Sequence, residues 1–139
     1  MRVSRLFVAA AAALLVAIGS AALSGQARTD DHYDTLMKAV FAANSAMARA
    51  TDGATIAAEA RKLQALFKDA QGFWTGRKNK EAAEWSASAV THAAEIEKAA
   101  AASNMEGVAA HRKELGGVCA TCHKANREKT ETGFAIRKG

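Results

Sequence analysis

SNMEGVAAHRKELGGVCATCHKANR, residues 103–127, holds both the periodicity and the chemistry from which the rest of the chain can be read. Val108, His111, Leu115, Val118 and Cys122 recur at three- and four-residue intervals, which puts them on one face of an α-helix. Ser103-Asn104-Met105-Glu106 has the pattern of a capping box and opens that helix. A single amphipathic helix is marginal in water and needs partners to cover its apolar stripe. The sequence before it must therefore supply them.

Working outward, the chain contains no proline, much alanine and only 6% aromatic residues, a balance that favours long helices over strands. Helix A is predicted over 31–50, with Asp30 and Asp31 as N-caps and Leu36, Val40, Ala43 and Met47 on its apolar side. Asp52-Gly53 is a turn. Ile56, Ala60, Leu63, Phe67 and Ala70 then mark helix B, which should end near Gly72, with a loop from Gly72 to Lys80. Helix C starts near Asn79 and carries Trp85, Ala89, His92, Ile96 and Ala99 on one face. The stretch from Thr130 should fray. Four such helices joined by short connections form an all-α, up-down-up-down four-helix bundle. Its facing positions are largely alanine, so the core is thin and something besides side chains should fill its middle.

Residues 1–27 read differently. Arg2 and Arg5 precede an apolar run from Leu6 to Leu23, and Gly25-Gln26-Ala27 supplies small residues for cleavage, so this segment is expected to be a secretory signal peptide removed after Ala27. An uncleaved anchor is the rival, since about 18 apolar residues can just span a bilayer. Cleavage leaves residues 28–139 as one domain with 17 basic and 14 acidic side chains, a net charge of +3 in place of +5. The expected compartment is the periplasm. Nucleic acid is excluded as a partner by so small a charge on an exported chain. Two cysteines three residues apart cannot staple a fold, and one long apolar stretch excludes a polytopic membrane protein.

Cys119-Ala120-Thr121-Cys122-His123 is C-x-x-C-H, the attachment signature of a c-type haem. Two thiols on neighbouring turns can form thioethers with the two vinyl groups of one porphyrin, and the following imidazole can then bind the iron from below. Attachment takes place outside the cytoplasm, in keeping with the export signal. Gly116-Gly117 lies one turn upstream, where each glycine costs about 1 kcal/mol against alanine; a flat macrocycle against the backbone would account for them, and so would a local kink. A thioredoxin-like redox pair would call for a βαβ fold. A zinc site would need a second pair of ligands. The expected cofactor is one covalently attached haem c, held by Cys119 and Cys122, with His123 as the proximal iron ligand.

A signal peptide, a four-helix pattern and one C-x-x-C-H near the carboxyl end resemble the class II cytochromes c, the cytochrome c-prime family. The similarity runs through the Leu36–Met47 segment, the Trp85 region and Cys119–Arg127. The chain departs from the family at Asn126, where an aromatic is usual, and in lacking prolines between helices B and C. The resemblance implies one of two branches. In one the far side of the iron is open and takes NO or CO. In the other a methionine of helix A binds there and the protein is a six-coordinate electron carrier. Alignment of helix A brings Met37 to that position. The family often forms dimers through helices A and B, which leaves monomer and homodimer both open here.

Bundle geometry favours the same methionine. The start of helix A adjoins the end of helix D, the helix that Ser103-Asn104-Met105-Glu106 opens, and Met37 lies about 9 Å into helix A at 1.5 Å per residue. Met47 is about 15 Å further on, and Met105 is at the wrong end of helix D. His111 is about 18 Å from His123 on the same helix. His92, halfway along helix C, reads as a core or surface histidine. His32 is the one serious rival. Tyr33, Phe67, Phe73, Trp74 and Trp85 are expected at the haem end, with Trp85 packing on the macrocycle, and Arg127 is a candidate partner for a propionate. Lys124, Arg127, Lys129, Arg137 and Lys138 outnumber Glu128 and Glu131 there, a charge pattern suited to docking acidic redox proteins. No acid, base or nucleophile set accompanies the motif, so electron transfer rather than enzymatic catalysis is expected. A peroxidase-like site would want a distal histidine or arginine, for which helix A offers only His32.

Overall fold

The computed structural model describes residues 28–138; residues 1–27, read from the sequence as a signal peptide cleaved after Ala27, lie outside the described residues. Four helices follow in order, α1 (Asp30–Arg49), α2 (Gly53–Gly76), α3 (Lys80–Ala101) and α4 (Met105–Asn126), then two short strands, β1 (Arg127–Lys129) and β2 (Phe134–Ile136). Three-residue connections make successive helices antiparallel. No described helix is long and apolar enough to cross a membrane.

Each helix starts on a side-chain cap. Thr29, rather than Asp30 or Asp31, caps α1 by accepting from the His32 N–H, and both aspartates fall in the first turn, where the helix dipole favours negative charge. Asp52 accepts from the Thr55 N–H at 2.8 Å, Asn79 from Ala82 and Asn104 from Gly107. The capping box expected at Ser103 does not form: the N-cap is one residue later, at Asn104, and N3 is then Gly107, which has no side chain to return the bond. Ser103 instead has φ 55° and forms the turn before α4.

The other departures have local causes. The α2 helix continues one turn beyond Gly72 because Phe73 and Trp74 are buried against Ala82 and Tyr33, and the helix stops only where Lys78 turns to φ 58°. The buried face of α3 is Ala82, Ser86, Ala89, Ala93, Ile96 and Ala100; Trp85, His92 and Ala99 lie at its half-buried edge. On α4 only Val108 and Leu115 are fully buried. The tail does not simply fray: β1 and β2 pair as an antiparallel hairpin with Arg127 opposite Ile136, and the Arg127 guanidinium stacks 3.8 Å over the Phe134 ring.

Packing is uneven. The helix α2 lies against both α1 and α3, and α3 lies against α4, but α1 and α4 hardly meet. Of the 17 buried apolar residues among those described, seven are alanine, so the core is thin as the composition implied. Gly53 lets the start of α2 rest on the end of α3, since a Cβ there would come within 2.6 Å of the Ala100 carbonyl oxygen. The bundle has three sealed sides and one open one.

Candidate functional site

The open side is a cavity of about 590 Å³ between α1 and α4, floored by α2 and α3. Its walls include Met37 from α1, Trp85 from α3, Cys119, Cys122 and His123 from α4, and Arg127 at the start of β1. All six residues singled out from the sequence thus border one space. Leu63, Phe67, Ala70, Ala89, Leu115 and Val118 make most of the rest apolar. Phe41, 74% exposed, stands at the rim with Asn44, and Arg112 and Lys113 border the cavity further along α4; none of these four was singled out beforehand.

The rival ligands are elsewhere. His32 does not line the cavity, and its Nε2 lies 2.8 Å from Asp69 Oδ2. Met47 is buried in the core and Met105 is exposed. Phe73 and Trp74 are not cavity walls either; they form a separate cluster that reaches the site through Tyr33. Tyr33 stacks on Phe73 with ring centroids 4.3 Å apart, and its hydroxyl accepts from Trp74 Nε1 at 3.1 Å.

The sulfur chemistry follows from this setting. Cys119 and Cys122 are free and half-buried. Burial pushes both thiols up, and the neighbouring Cys122 adds to the rise at Cys119, so both stay protonated near neutrality. A redox-active C-x-x-C pair works by the opposite shift. Asn126, in the position where the resemblance led to an aromatic, donates from Nδ2 to the Cys122 carbonyl at 3.2 Å and accepts from Asn79 at 2.9 Å, tying the end of α4 to the start of α3. Burial, with the Arg127 charge as a lesser cause, holds the His123 imidazolium below the ordinary histidine range, leaving a neutral ring able to donate a lone pair. Among the described residues no three His, Cys, Asp or Glu side chains cluster closely enough to hold one metal ion.

The glycines bear on what the cavity can accept. Helix α4 continues through Gly116 and Gly117, and a Cβ at either would meet nothing within 4 Å. No protein neighbour requires them. Gly116 borders the cavity, so bare backbone faces open space there. Two thiols and an imidazole on α4, a thioether on α1 and a largely apolar hollow are thus brought to one cavity, a donor set and lining chemically compatible with an iron porphyrin.

No protein-family model, no curated protein and no solved structure matches this chain.

Proposed function

We propose that the chain is an exported, periplasmic c-type cytochrome with one haem, of the class II kind, carrying single electrons and catalysing no bond-making of its own. The observation that carries this reading is the gap between α1 and α4, bordered by both thiols and His123 on one side and by Met37 on the other. Bound haem supplies a one-electron iron couple. The rest is the work of this chain's residues. Cys119 and Cys122 would hold the group through their sulfurs, and His123 and Met37 would supply a nitrogen and a sulfur ligand to its iron. Tyr33, Phe67 and Trp85 exclude water, and Arg127 is available to a propionate. A dry site and a thioether ligand both raise the reduction potential. The exposed cations Lys124, Arg127, Lys129, Arg137 and Lys138 form a basic end suited to steering an acidic redox partner.

Reduced-minus-oxidised absorption spectra before and after CO test the reading. Sharp six-coordinate low-spin bands indifferent to CO are expected, and Met37→Ala should convert them to a high-spin spectrum that responds to CO. A wild-type spectrum that is already high-spin and shifts promptly with CO or NO would favour the open-iron, gas-binding alternative. Colourless protein of bare polypeptide mass, after passage through a host competent in cytochrome maturation, would end the haem reading altogether.

A further inference from the structure

Helices α3 and α4 bring together two histidines that the cavity chemistry does not use. His92 and His111 meet across the α3–α4 interface with their Nδ1 atoms 3.3 Å apart, ring centroids at 5.6 Å and planes tilted by 41°. Both rings are half-buried at the outer edge of the interface. Neither borders the cavity, although Ala89 and Arg112 beside them do.

Two neutral imidazoles so arranged can share one hydrogen between their nitrogens, which uses half of what the pair offers. A divalent ion uses both lone pairs. Zinc–imidazole bonds of about 2.0–2.1 Å at a tetrahedral angle separate the two nitrogens by about 3.3–3.4 Å, which is the spacing found here. The nitrogens point towards one another, so each ring must turn to aim its lone pair at a common point outside the line joining them. Histidine χ2 is broad and the rings are only half-buried, so that turn is inexpensive.

We propose that His92 and His111 form an interhelical site for a divalent transition ion of the Zn2+ type. Imidazole nitrogen suits such ions. With no third donor converging on the pair among the described residues, water completes the coordination and the ion exchanges freely. Bound there, it clamps α3 to α4, two walls of the cavity. His111 and His123 are about 18 Å apart along α4, so this site is independent of any iron held by the thiol segment.

The test uses the full mature chain with any free thiols alkylated, which removes Cys119 and Cys122 as competitors whether or not they carry haem. Zn2+ alone is titrated by calorimetry and by nitrogen NMR of the histidine rings. One equivalent should bind saturably, the Nδ1 resonances of His92 and His111 should shift together, and the melting temperature should rise with ion concentration. His92→Gln and His111→Gln should each abolish the saturable step, while His32→Gln leaves it intact. Binding that survives both substitutions, or that moves with His32 and Asp69, overturns the proposal. Should either glutamine variant fail to fold, the wild-type spectrum decides alone: absence of a joint Nδ1 shift means the two rings merely share a hydrogen.

Discussion

Tyr33 couples the aromatic cluster to the cavity, and its phenol is pushed up to about 12, chiefly by burial and next by the nearby Cys122. In the unfolded chain a phenol ionises near pH 10. The unfolded state therefore loses this proton first, and stability falls as pH climbs from the unfolded value through the folded one. Two pH units correspond to roughly 2–3 kcal/mol. Tyr33→Phe keeps the stacking on Phe73 but removes the acceptor for Trp74. Melting temperatures at pH 8, 10 and 11 should show wild type ahead at pH 8, with its lead shrinking as pH rises. A lead that grows with pH would mean the phenolate, not the phenol, is the favoured form. At this scale the sequence was most informative where the chemistry is contiguous. The C-x-x-C-H motif sets the three α4 side chains by itself, and helical counting brings Met37 to the same end. The His92–His111 contact escaped because it depends on how α3 and α4 are rotated against each other, which the periodicity of neither helix states.

Glycines within helices make the contrast between elements measurable. Alanine for glycine inside a helix ordinarily gains about 1 kcal/mol. In protein lacking any ligand, Gly116→Ala and Gly117→Ala should each raise the unfolding free energy by about that much, because a Cβ there meets nothing. Gly53→Ala should lower it, because the atom in the way is the Ala100 carbonyl oxygen, which cannot move without shifting α3. In the haem-loaded protein the gain at Gly116 should disappear or reverse if a macrocycle lies against the backbone. Urea denaturation with and without the group checks all three substitutions. The elements themselves were readable because apolar residues at helical spacing and polar turn residues agree along most of the chain. Their ends were less so. Gly72 looked like a stop, but burial of Phe73 and Trp74 outweighs one glycine. The tail looked unstructured, but Arg127 on Phe134 and the β1–β2 ladder give it partners that helical periodicity does not reveal.

For the whole molecule, the thin core and the missing α1–α4 seam are one fact seen twice. Alanine-rich faces leave a hollow, and the hollow keeps the first and last helices apart. The sequence implied a filler, but only the packing identifies which seam is open. Helix α1 fully buries only Leu36, Ala43 and Met47 and leans chiefly on α2, whereas α2 is packed on both sides. Without a ligand in the cavity α1 should thus be the first helix to open, since local stability follows buried contact. In a Cys119→Ala/Cys122→Ala variant, hydrogen exchange should be fastest in α1 among the four helices and slowest in α2 and α3. If wild type carries the proposed haem, α1 should gain the most protection in that form, because a group held by α4 and reaching Met37 would close the seam that the polypeptide leaves unmade. If α1 in the variant exchanges as slowly as α2, the bundle closes without a filler, and the cavity is no longer evidence for one.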